Sequence, residues 1–154
     1  MARGGRWGRR NPVSKPRSGD VYFAEPWLTI RWDGEHNCVH SEWRGFANSV
    51  EFREGTMRTL EAIQDRHAAL LLSDTRRLEV VANEDQLWMR DTWVPLAVAS
   101  GLKRIALVIA QHGLGNFAVQ EIVSQVGHAA FVMRTFDSVT EALKWIAADQ
   151  KPPK

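Results

Sequence analysis

Apolar and polar positions change rhythm several times along this chain, and each change marks an element. Val21–Ala24 is a short extended lead-in. Leu28-Thr29-Ile30-Arg31-Trp32 alternates residue by residue, as a half-buried strand does. Asp33-Gly34 is a turn signal, and Cys38–Arg44 then alternates again. Val39, Ser41 and Trp43 fall on one face of that second run, with Cys38, His40, Glu42 and Arg44 on the other. The two runs are expected to pair as a hairpin.

The rhythm then turns helical. Asn48 is an N-cap candidate with Glu51 at capping-box spacing, and the predicted helix runs to about Arg66 with Val50, Met57, Leu60 and Ile63 as its buried stripe. Ala68–Leu72 is a continuous apolar run, which suits a strand buried on both faces. Ser73-Asp74-Thr75-Arg76-Arg77 is expected to be the loop that ends it. Asn83 with Gln86 opens a second helix that reaches Val98, with Pro95 predicted to kink or break it and Gly101 to stop it. Lys103–Ala110 is the clearest buried strand. The loop Gly113-Leu114-Gly115 leads into a helix from about Asn116 to Val126, and Ala129–Phe136 is the last strand. Ser138 and Glu141 form a further capping box, and the final helix runs to about Ala148 with Leu143 and Ile146 inward.

The order β-β-α-β-α-β-α-β-α predicts an α/β fold with a mixed, mainly parallel sheet and helices packed on it. Ala68–Leu72, Lys103–Ala110 and Ala129–Phe136 should lie side by side in parallel.

Composition narrows the class. A chain of 154 residues, 44% hydrophobic and 25% charged, suits one globular domain with a core of its own. The net charge of +2 hides an asymmetry. Arg3, Arg6, Arg9, Arg10, Lys15 and Arg17 face only Asp20 in the first stretch, so the rest of the chain is net acidic. Residues 1–20, rich in Gly and Pro and poor in apolar side chains, are expected to be a disordered basic tail, residues 21–150 the domain, and 151–154 a frayed end. Such a tail is either a solvated leader or an arm for nucleic acid or acidic surfaces. Cys38 is the sole cysteine, which excludes an internal disulfide and suits a reducing, cytoplasmic compartment. No apolar run approaches the ~18–20 residues of a membrane span.

The order of elements resembles that of STAS domains, the family of anti-sigma-factor antagonists, and more closely the bacterial stand-alone STAS-like proteins. Glu42-Trp43-Arg44-Gly45-Phe46, Leu71-Leu72-Ser73-Asp74-Thr75-Arg76 and Trp93-Val94-Pro95 carry the local likeness, over about residues 25–148. The resemblance implies a non-enzymatic protein-interaction or signalling module. It also implies a phosphorylatable Ser or Thr between the third strand and second helix, commonly in Asp-Ser-x-Gly. This chain offers Ser73, Asp74 and Thr75 there, without the Gly and with Arg76 and Arg77 following. The alternative is that Asp74 and Thr75 end the strand by turn hydrogen bonds.

Other chemistry is weaker. Gly113-Leu114-Gly115-Asn116-Phe117-Ala118 matches G-x-G-x-x-A between a strand and a helix, with Asp137 after the next strand. The motif follows a late strand and lacks the second half of a dinucleotide fold, so Gly113, Gly115 and Asn116 stand as a candidate anion or nucleotide loop, or as a tight turn. His36, Cys38 and His40 alternate, but no fourth metal ligand is evident and an exposed polar face explains them. No catalytic constellation stands out by spacing, and no cofactor is expected.

The chain has seven tryptophans. Trp88 and Trp93 cannot both point into one helix stripe. With Arg90, Ser73, Asp74, Thr75 and Arg76 they form the candidate contact surface for a protein partner or a second copy. A small-ligand carrier, with an apolar pocket between the sheet and the second helix where Met89 approaches Pro95, is the alternative.

Overall fold

The computed structural model describes residues 20–111 and 131–148. Its six strands form one sheet whose spatial order follows the chain, β1-β2-β3-β4-β5-β6. β1 (Asp20–Glu25), β2 (Leu28–Asp33) and β3 (Cys38–Gly45) are antiparallel neighbours. β3, β4 (Leu70–Leu78), β5 (Arg104–Val108) and β6 (Val132–Phe136) are parallel neighbours. The predicted parallel trio is therefore present, and the fold is the expected mixed, mainly parallel α/β type.

Two strand assignments need correction. The lead-in Val21–Ala24 is a full edge strand, and it includes Asp20. β4 does not end at Leu72 but runs on to Leu78, so Ser73–Arg77 is strand rather than loop. Polar residues are admitted to this central strand because each buried one has a partner. Thr75 Oγ1 donates to the Val108 carbonyl at 2.9 Å, Ser41 Oγ donates to Ser73 Oγ at 3.2 Å, and Asp74 pairs with Arg76 at 2.8 Å. A register shift opposite Glu42–Arg44 then reverses the alternation, and Leu78 turns back to the same face as Ser73.

α1 (Ser49–Arg66) opens with both halves of the expected capping box: Glu51 N donates to Asn48 Oδ1, and Asn48 N donates to Glu51 Oε1. Its buried side is Phe52, Gly55, Thr56, Thr59, Leu60 and Ile63. Val50, expected in that stripe, is 76% exposed, because it lies two residues, or about 200°, from Phe52 and so on the opposite side of the helix from the buried stripe. The second helical segment is broken, as Pro95 predicts. α2 (Asn83–Trp88) passes into a π-helical turn (Met89–Trp93), then α3 (Val94–Ala99). Val94 N donates to the Met89 carbonyl, five residues back, and Pro95 sits in the first turn of α3, where its missing N–H is tolerated. The α2 cap differs from expectation. Ala82 is the cap without a side-chain bond, and Gln86 Nε2 instead donates to the Val81 carbonyl at 3.0 Å.

The sheet has two unequal faces. Leu28, Ile30, Trp32, Val39, Trp43, Leu71, Ile105 and Leu107 form the larger core, under α1, the π turn and α3. Cys38, Leu70, Leu72, Ala106 and Val108 form the smaller one with Ala142 and Ile146 of α4 (Val139–Ala148). Neighbouring parallel strands joined by right-handed crossovers place successive helices on one side, which accounts for α1 and α2–α3 sharing a face.

Candidate functional site

Between the larger face and its helices lies a cavity of about 60 Å³. On the scale of roughly 10–15 Å³ per water, it holds a few solvent molecules or one small organic group. The sheet supplies Ser41 and Trp43 from β3, Leu71, Ser73, Thr75 and Leu78 from β4, and Leu107 from β5. Phe52, Thr56 and Thr59 come from α1, and Met89 and Trp93 from the π turn.

Each helical contributor is fixed by local chemistry. Thr56 and Thr59 donate back to the carbonyls of Arg53 and Gly55, at 3.0 and 2.9 Å. Trp93 Nε1 donates to the Thr56 carbonyl at 2.7 Å, which pins the π turn to α1. Phe52 packs on Trp43 with ring centroids 5.4 Å apart. None of the lining residues is ionisable, so the cavity offers no general acid or base.

The outer end of α2 is tied to α1 by a buried carboxylate. Asp85, 2% exposed, accepts from Ser49 Oγ at 2.6 Å and from Arg53 Nε at 2.8 Å. The Arg53 guanidinium lies 5.2 Å from the Trp88 ring centroid.

The sequence-predicted contact residues separate into three places. Ser73, Thr75 and Trp93 are buried and line the cavity. Asp74 lies on the opposite face of β4, 5% exposed, held at both carboxylate oxygens by Arg76. Trp88 is half-buried beneath Arg53, and Arg90 is exposed and bonded to Asp91. These seven side chains do not share one surface. The hydroxyls of Ser73 and Thr75 are sealed in the fold, at 9% and 6% residue exposure, out of reach of a modifying enzyme in this state. The glycine loop Gly113, Gly115 and Asn116 lies outside the described residues, as do residues 1–19.

His36, Cys38 and His40 are also divided. His36 belongs to the β2–β3 turn, where its backbone N and Nδ1 are both held by the Asp33 carboxylate. That Asp33 turn also explains the approach of Glu35 and His36 to one another. Cys38 is wholly buried, and burial, with the Asp33 charge adding to it, pushes its thiol up to about 12. His40 is lowered from the ordinary histidine value, first by burial and then by Arg31.

Sequence reasoning missed Ser41, Phe52, Thr56 and Thr59 as cavity residues, and Asp85 as the tie. The available signal was small hydroxyl residues at inward positions of adjacent strands and on the inward side of α1.

No protein-family model matches the chain, and no curated protein matches it. A solved structure does, from Shewanella loihica PV-4, described as an uncharacterized protein of the DUF3478 family with a SpoIIAA-like fold. The two are 14% identical and superpose with a TM-score of 0.52, over 86% of this chain and 98% of the other. The fold is SpoIIAA-like. That is the architecture of the STAS domains which the order of elements resembled, and the likeness at this identity concerns the fold alone. Among the described residues of this SpoIIAA-like chain, no helix is long and apolar enough to cross a membrane.

Proposed function

We propose that this chain is a non-catalytic STAS-type binding module that holds a small, uncharged, mainly apolar ligand between its sheet and the π turn. The cavity carries this reading. Its wall joins Trp43, Phe52, Leu71, Leu78, Met89, Trp93 and Leu107 with a few hydroxyls and no charge. Binding pockets are typically of this kind, largely apolar with few polar groups. The π turn supports it further, since such turns inside helices concentrate at functional positions.

Toluene is a suitable probe. Binding to the folded state raises the melting temperature, and the tryptophan emission, to which Trp43 and Trp93 of the wall contribute, should shift with it. Leu107→Phe, which fills the cavity, should abolish both responses. An unchanged melting temperature at saturating toluene and at saturating phenol alike, together with a bare polypeptide mass in native mass spectrometry of the purified protein, overturns the reading.

A second reading, docking of a protein partner, is favoured by a different observation. Phe46, Val50 and Val80 are 61%, 76% and 46% exposed at the carboxyl ends of β3 and β4. Glu79 N donates to the Gly45 carbonyl at 2.9 Å, which brings the Phe46 and Val80 loops together. Exposed apolar clusters of this kind are covered by partners, and the flanking Glu79 and Glu84 suit one that presents basic residues. Cross-links in cells that vanish on Val50→Asp support it, and cross-links indifferent to that change count against it.

A further inference from the structure

The hydroxyl groups of the cavity do not offer equal chemistry. Each has one hydrogen to donate and lone pairs to accept with. Thr56, Thr59 and Thr75 have spent their hydrogens on the carbonyls of Arg53, Gly55 and Val108. Their oxygens remain able to accept. Ser41 and Ser73 bond to each other at 3.2 Å, which uses one of the pair's two hydrogens. The second, on Ser73 when Ser41 donates, has no acceptor among the described residues. The Trp93 N–H is committed to the Thr56 carbonyl. Against an otherwise apolar and aromatic wall, the serine pair therefore supplies one free donor, with several acceptors around it.

That combination matches a group which both accepts and donates a single hydrogen bond. Resting on the cavity reading above, we propose that the ligand is a small neutral alcohol or phenol whose hydroxyl accepts from Ser73 and donates to a threonine oxygen. A carboxylate or amine would bring an uncompensated charge into the cavity, which holds no counter-ion. A pure hydrocarbon would leave the serine hydrogen unmet. A site built to bond a hydroxyl discriminates against the analogue that lacks it.

Phenol and toluene test this directly, because they differ by hydroxyl against methyl at nearly equal volume. Their affinities for the full chain can be measured by calorimetry. The expected result is phenol binding at least as tightly as toluene. In the double variant Ser41→Ala/Ser73→Ala, which removes both serine hydrogens, the order should reverse, with toluene at least ten-fold tighter. Each single variant leaves the other serine with its hydrogen free and should keep the preference for phenol, which keeps the assignment testable if the double variant does not fold. Toluene binding ten-fold or more above phenol in the unaltered protein overturns the hydroxyl assignment while leaving the cavity reading in place. The same preference for phenol in Ser41→Ala/Ser73→Ala, or its loss in both single variants, also overturns it. Absence of binding by both overturns the cavity reading and this inference together.

Discussion

A methyl group placed on Gly55 would stand 2.7 Å from Cη2 of Trp43 and 2.5 Å from Cδ2 of Leu28. Both distances are well inside carbon–carbon contact. Gly55 is therefore what lets α1 lie directly on β2 and β3. Gly55→Ala gains about 1 kcal/mol of helix propensity but forces the helix off the sheet, at a typical cost of 1–3 kcal/mol for an overfilled core. Net destabilisation is expected, read as a lower urea midpoint with unchanged slope.

The Asp85 tie should break unequally from its two ends. The Asp85 side chain is 3% exposed and the Arg53 side chain 40% exposed. Arg53→Ala leaves a buried carboxylate with only Ser49 to hold it, at a cost of about 3–5 kcal/mol. Asp85→Ala leaves an arginine that water reaches, so its cost should be smaller, roughly 1–3 kcal/mol. Equilibrium denaturation of both variants checks the order.

His40 gives stability a pH dependence of known sign. Its folded pKa lies below the ordinary value of about 6.5, because burial and then Arg31 disfavour the charged ring. The unfolded chain therefore takes up the proton first as the solution is acidified. This contribution is fully present above pH ~6.5 and is lost as the pH falls from there through the lowered folded value. His40→Gln should flatten that part of the stability profile.

Cys38 should be inert in the native state. It has no exposed surface, and its thiol is pushed up to about 12. A thiol-specific chromogenic reagent at pH 8 should label it only as fast as the protein unfolds, with prompt labelling in denaturant. Fast labelling of native protein would mean that the smaller face of the sheet opens readily.

The parts that repeat a simple rhythm were legible in the sequence. β5 is an unbroken apolar run after Arg104, and the start of α1 was announced by Asn48 with Glu51 at capping-box spacing. β1 was under-read because an edge strand needs only weak alternation. The outer half of β4 was misread because Ser73, Asp74 and Thr75 look like a turn when their partners on β3, β5 and β4 itself are unknown. The cavity was half visible. Met89 beside Pro95 pointed to it from the helix side, whereas the wall from Ser41, Thr56 and Thr59 depends on strand and helix register that no local pattern states.

The sheet is laid down in chain order, each strand beside the one before it. During synthesis no strand must wait for a distant partner, and the growing edge is always the newest segment. The N-terminal three-strand meander can form while the remainder is still being made, and α1 can cover its apolar face before β4 docks. Pairing only between consecutive strands keeps each separation to about 30 residues, as small as parallel crossovers allow, and shortens the time for which a growing edge is open to another chain.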